Sequence, residues 1–444
     1  MAGKIRPKIR DSIIQALSAG VVPGQGLQHI QVGRFQEVQS LIQDIDRVSD
    51  GGSAFRLIVG EYGAGKTFFL HVIRQIALEK KQVTLHADFS PERRLVASQG
   101  QARNLYSEMV SNMSTRSRPN GGALGAILEK FVSESIALAE KKDLNPNQLI
   151  EDRLTKLHAF VGGYDMTKVI VSYCQGHENG NDELKQSALR WLRGEYTTKT
   201  EARQDLGVRN IISDNMIYDA IKLLAEFVVL AGFSGLFVML DEGVNLFKIT
   251  NTISRKSNYE MLLRILNNTL QGEAEHFGML LGLTPEALYD PRRGLCSYDA
   301  LSSRLAPNKF AQQAGLTDFN QPAISLQSLS PEELIILLDN ICNVYASGNK
   351  ENYLIDKAGI EAFMGHCFNT IGAAYFKTPR ETIRAFVHLL SMLEQYPEKH
   401  WKNFIEQIHI EQDIEKSKKD SNEKDDIALK MSFQVDNDLA NFKM

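Results

Sequence analysis

Phe55-Arg56-Leu57-Ile58-Val59-Gly60-Glu61-Tyr62-Gly63-Ala64-Gly65-Lys66-Thr67 is the stretch whose reading decides the fold. Ala54 to Val59 is a short apolar run rich in strand formers, and Lys66 to Lys80 follows with helical spacing. Between them, Gly60 to Thr67 fits GxxxxGK[ST] without exception. Glycines let the backbone fold around phosphates so that several N–H groups point inward, and the helix N-terminus adds partial positive charge. Lys66 would reach the β- and γ-phosphates as a point charge, and Thr67 would offer its hydroxyl to Mg²⁺. The sequence therefore predicts that Gly60, Glu61, Tyr62, Gly63, Ala64, Gly65, Lys66, Thr67 and Phe68 line a nucleoside triphosphate, ATP with Mg²⁺.

Working outward, Gln82 to Phe89 reads as the next strand, which gives a strand, helix, strand unit with parallel pairing. A phosphate loop needs a metal-organising acid at the end of another strand. Leu236 to Leu240 is apolar and runs into Asp241 and Glu242. Asp241 is assigned to the Mg²⁺ shell beside Thr67, and Glu242 to the attacking water. An acidic pair closing a strand is common in itself, and the phosphate loop in the same chain gives this one its meaning. Gly278 to Leu283 reads as a further strand ending at Thr284. Thr284 is either a γ-phosphate sensor or the N-cap of a helix opened by Pro285, and the two roles are compatible. Arg292, Arg293, Arg304 and Arg380 are the basic candidates for transition-state charge, against a background in which most arginines are solvated. Arg380 sits in the first turn of a helix starting at Thr378-Pro379, and Arg304 suits a reach across to a neighbouring subunit's nucleotide.

The chain has 444 residues, 43% hydrophobic and 23% charged, enough for two to three domains with a sizeable core. A formal charge of -4 gives no global sign of nucleic-acid binding. Lys377 to Arg384 and Pro397 to Lys402 carry positive charge that reads first as solvated helix faces. Cys174, Cys296, Cys342 and Cys367 form no CxxC pair, which fits a reducing cytoplasm. No apolar stretch is long enough for a bilayer, and Met1 to Arg10 lacks a secretory core.

The organisation expected is an α/β parallel-sheet core of the P-loop kind, with a large helical insertion and a helical C-terminal domain. Residues 1–102 hold an N-terminal linker and the first part of the core, and residues 103–215 the insertion. Residues 216–325 complete the core, 326–411 form a helical lid, and 412–444 form a charged mobile tail. Asp11 to Ala19 reads as an amphipathic helix capped by Asp11, and Phe35 to Val48 as another. Ser114 to Gly122 and Gly176 to Asn181 read as loops, and Trp191 as a packing anchor of the insertion. A helix begins at Ser330 with Pro331 first and Glu332 and Glu333 in its opening turn.

In this order the pieces resemble an additional-strand P-loop ATPase of the AAA+ type, near the origin-recognition and STAND branch. Val32-Gly33-Arg34 with Glu37 looks like the linker box that lines the adenine pocket in that group. The resemblance sharpens over AGVVPGQG at 19–26, GEYGAGKTFFL at 60–70, LDE at 240–242, GLTPE at 282–286 and RRGLCSYDALSSRL at 292–305. Together these are similar to the ATP-binding protein of bacteriophage-exclusion (BREX) systems, the family called BrxD, over most of residues 10 to 400. That resemblance implies an antiviral defence role, an ATPase, a homo-oligomer, a helicase or other defence partner, and a winged-helix-like C-terminal region able to touch DNA.

Three functions follow as expectations. The first is an oligomeric ATP-hydrolysing motor or switch acting on DNA or a DNA-bound partner. The second is a nucleotide-gated assembly module that binds proteins through the insertion without translocating DNA. The third, a phosphotransferase, is disfavoured by the adjacent Asp241 and Glu242.

Overall fold

The computed structural model describes residues 4 to 371 and 379 to 405. The chain divides into two compact units, Gly33–Gln327 and Met1–Val32 with Ser328–Met444. The larger unit is built on five parallel strands: β1 (Ser53–Val59), β2 (Val83–Asp88), β3 (Leu236–Asp241), β4 (Phe277–Leu283) and β5 (Ala323–Ser325). Their order across the sheet is β2-β3-β4-β1-β5. An additional strand, β4, thus lies between the phosphate-loop strand and the strand that ends in the acids.

Side-chain alternation divides the sheet into two buried faces. Phe55, Leu57 and Val59 of β1 join Val238, Leu240, Met279 and Leu281 in one core, shared with the helices of residues 101–230. Ala54, Ile58, Phe237, Met239 and Leu280 face the helices Phe35–Ser49 and Lys66–Glu79 in a second core. The same parity turns Asp241 and Gly282 toward the helix that carries Thr67. This is how the strand pattern fixes the site.

Arg56, on the second face, is 5% exposed and is held by Asp44 of helix Phe35–Ser49, which is fully buried. Its Nε and one terminal nitrogen donate to the two Asp44 carboxylate oxygens at 2.6 and 3.0 Å, and the other donates to the Gln321 carbonyl. Removing one partner leaves an uncompensated charge in the core. Asp44→Ala is expected to lower unfolding free energy by about 3–5 kcal/mol. Replacing Arg56 with methionine in the same chain should recover much of it. Chemical denaturation measures both, and a loss below about 1 kcal/mol would show the pair to be dispensable.

Residues 89 to 235, between β2 and β3, hold seven α-helices and no named strand. Trp191 anchors this insertion as expected: it is 4% exposed and its indole N–H donates to the Asn210 carbonyl at 2.9 Å. The segment from Ser114 is turn-like and adds an antiparallel bridge from Ser114 to Thr84 of β2. The reading of Gly176 to Asn181 as a loop is corrected at its start, because helix Gly163–Glu178 runs through Gly176. A Cβ there would lie 2.9 Å from the Asn181 carbonyl oxygen, so the glycine marks a tight approach of the next helix.

In the smaller unit the first helix is Pro7–Ser18, not a helix capped by Asp11. Pro7 supplies the preset φ of a first helical residue, and the start moves back a turn. This helix packs with Pro331–Tyr345 and Pro379–Gln395, and Ile13, Leu338, Phe363, Phe386 and Leu390 are buried here. Pro331–Tyr345 opens with a full capping box between Ser330 and Glu333. Among the described residues of this unit there is no strand. The tail from Gln412 lies outside the described residues. Among the described residues, no helix is long and apolar enough to cross a membrane.

Candidate nucleotide site

β1 ends at Val59, and the loop after it is tied to the sheet by the Gly60 N–H, which donates to the Leu283 carbonyl at 3.1 Å. Gly63 and Gly65 adopt φ of 76° and 83°, the left-handed region that side chains resist, and these turns reverse the loop. Helix Lys66–Glu79 begins directly after Gly65 with no side-chain cap. Among the described residues, the amides of Gly63, Gly65, Lys66, Thr67 and Phe68 find no protein acceptor. Five adjacent donors without acceptors, at the positive end of a helix, form a cradle for an anion.

Lys66 folds over this loop, its Nζ donating to the Gly60 and Glu61 carbonyls at 3.0 Å each. Burial lowers its pKa, against the opposing pull of Asp241, Glu242 and Glu61. Thr67 Oγ1 donates to Asp241 Oδ2 at 2.5 Å, across the space in front of β4. Asp241 is 7% exposed, and its Oδ1 accepts the Glu242 N–H at 2.8 Å. Glu242 turns out of the sheet with φ 54°, a left-handed conformation in a residue other than glycine. As a residue Glu242 is exposed. Its pKa is nonetheless raised, first by partial desolvation and then by the charges of Asp241 and Asp88, with Lys66 and Lys248 opposing.

These residues fit a nucleoside triphosphate with a divalent cation. The orphan amides and the Lys66 ammonium match the charge and acceptor density of phosphate oxygens. The Thr67 hydroxyl and the Asp241 carboxylate form the hard oxygen pair that Mg²⁺ takes. When bound, the cation would supply positive charge against the phosphate oxygens.

The other expected residues fall as follows. Thr284 closes β4 next to Leu283, whose partner in register is Val59, so it lies between the loop and the acids. It is also the N-cap of helix Pro285–Tyr289, accepting the Ala287 N–H at 3.3 Å, so the capping role holds. Arg34, at φ 60°, donates to the Ala64 carbonyl and lies over the Phe69 ring, buttressing the loop from behind. Gly33 begins the larger unit, and Val32 ends the first segment of the smaller. Arg293 is a structural residue: its guanidinium holds the Phe247 and Ile249 carbonyls. Arg292 is exposed, with its backbone N–H on Asp290. Arg304 is exposed and donates to Asn267 Oδ1 at 2.6 Å. Arg380 belongs to the smaller unit, where its Nε donates to the Gly20 carbonyl at 2.6 Å.

Two residues at the site escaped the reading of the sequence. Asp88 ends β2 opposite Asp241 in register, and its pKa is raised by desolvation and by the Asp241 charge. Ligands sit at the carboxyl ends of parallel strands, so an acid closing QVTLHAD was the available signal. Gly282 follows Leu281, the last β4 residue in register with β3, and lies against the Asp241 side chain, a proximity that only the folded sheet reveals.

A five-stranded parallel sheet with a phosphate loop after β1 and an acid pair after β3 defines a P-loop nucleotide-binding core. The model of the BREX system ATP-binding protein BrxC/D family matches residues 5–409, and the chain belongs to that family. Membership implies ATP binding within a phage-exclusion system. Among curated proteins, none matches the chain.

Proposed function

We propose that the chain hydrolyses ATP with Mg²⁺ and serves phage exclusion as an oligomeric AAA+-type switch or motor acting on DNA or a DNA-bound partner such as a helicase. The observation that carries this reading is the bond from Thr67 to Asp241, with Glu242 directly after it on the same turn. Lys66 and the loop amides bind and orient the phosphates. Thr67 and Asp241 hold the cation, Glu242 takes the proton of the attacking water, and Thr284 senses the terminal phosphate from β4. Arg304 serves a neighbouring copy's nucleotide, and Arg380 serves as the lid arginine.

A second reading, a nucleotide-gated assembly module, draws support from the insertion. There Val161 and Tyr164 are 61% and 71% exposed, apolar surface that a protein partner would cover. Steady-state ATP hydrolysis with and without single-stranded and duplex DNA separates the two. The motor reading expects turnover to rise several-fold with DNA and a nucleotide-dependent increase in particle size. Turnover indifferent to DNA favours the assembly module, and no turnover at all contradicts the proposal.

A further inference from the structure

We infer that Gly282 is a positioning residue: it leaves the notch in β4 that lets the Asp241 carboxylate lie against the sheet and point at Thr67. This rests on reading Thr67 and Asp241 as the cation site. A Cβ built on Gly282 would stand 2.3 Å from Asp241 Oδ1 and 3.2 Å from its Cγ, well inside the ordinary contact distance. The carboxylate has no retreat. Oδ1 is held by the Glu242 N–H at 2.8 Å and Oδ2 by the Thr67 hydroxyl at 2.5 Å, so any displacement breaks one of these bonds. The main chain closes the same way: the Gly243 N–H donates to the Gly282 carbonyl at 2.9 Å, and a Cβ on Gly243 would stand 2.6 Å from that oxygen. Two facing glycines therefore let the end of β3 draw in against β4 just where Glu242 takes its left-handed turn.

β4 carries its own control. Gly278 lies on the same face of the same strand, four residues earlier, and a Cβ there would stand 2.4 Å from the Phe237 ring. The space left by Gly278 is filled by an apolar ring, and that left by Gly282 by the metal-organising carboxylate. One glycine serves packing and the other serves the site.

The test compares Gly282→Ala and Gly278→Ala with the unaltered chain. Calorimetric titration is run with a slowly hydrolysed ATP analogue at several Mg²⁺ concentrations and in EDTA, and thermal unfolding is recorded alongside. Gly282→Ala should raise the Mg²⁺ concentration for half-maximal binding about 10- to 100-fold, as loss of an outer-shell partner does, while affinity in EDTA stays within about twofold. Gly278→Ala should lower the unfolding temperature without that selective shift. An additional Asp241→Ala change removes the group that Gly282→Ala would strike. In that background the methyl at position 282 should cost far less thermal stability than in the unaltered chain. Equal losses of affinity with and without Mg²⁺, or the same stability loss in both backgrounds, would overturn the assignment. If the unaltered chain binds no nucleotide under any condition, the reading of the cation site fails instead. The thermal comparison still judges the notch.

Discussion

Lys66→Ala is expected to weaken nucleotide binding about 100-fold, close to 2.7 kcal/mol. Hydrogen bonds to a charged group contribute roughly 1.5–3 kcal/mol each, and the ammonium is the one side-chain cation that the loop itself supplies. Its partners in the structure are the carbonyls of Gly60, which is buried, and Glu61, which is exposed. The substitution should therefore lower the unfolding temperature only modestly while affinity collapses. Calorimetric titration with a slowly hydrolysed analogue and Mg²⁺ reads both the affinity and the stoichiometry. Undiminished affinity would remove the phosphate-loop argument, and a large fall in stability would reassign Lys66 to packing.

Glu242→Gln should retain nucleotide and lose turnover by about 10²- to 10⁴-fold, the usual contribution of a positioned base. The amide keeps the shape and the backbone bond to Asp241, which comes from the Glu242 N–H, not from the side chain. The pH profile supplies the sign. A base works ionised, so turnover falls as pH drops through the pKa of Glu242. Burial and the Asp241 and Asp88 charges raise that pKa, which places the acid limb above the ordinary carboxylate range. Asp88→Asn removes one of the raising charges and should move the limb to lower pH. A Gln variant with normal turnover, or a limb unmoved by Asp88→Asn, would show that another group takes the proton.

How much of this was legible in the sequence follows from where each signal lives. β1 and β3 are buried on both faces, so they appear as apolar runs, interrupted within β1 by Arg56, and each ends in a recognisable chemical motif. The capping box at Ser330 is a local pattern and was equally plain. β5 is three residues long, too short for any alternation to register. Asp88 and Gly282 matter only because β2, β3 and β4 align at their carboxyl ends, and register is a property of the sheet that no single strand displays. The packing of the first helix with the C-terminal helices brings together parts of the chain far apart in sequence, as does the bond beside them from the Ile5 N–H to the Ser347 carbonyl. Arg293 is one of the four candidates for transition-state charge, and its guanidinium donates to the Phe247 and Ile249 carbonyls, a contact that sequence spacing does not announce.

The central claim is that five main-chain amides and one ammonium hold a triphosphate opposite the Thr67 and Asp241 pair. A crystal structure with a slowly hydrolysed ATP analogue and Mg²⁺ tests it most directly. Phosphate oxygens are expected on the amides of Gly63, Gly65, Lys66, Thr67 and Phe68, with Lys66 turned from the loop carbonyls onto the phosphates and the cation on Thr67. A nucleotide bound elsewhere, or a cation held away from Thr67 and Asp241, would contradict it.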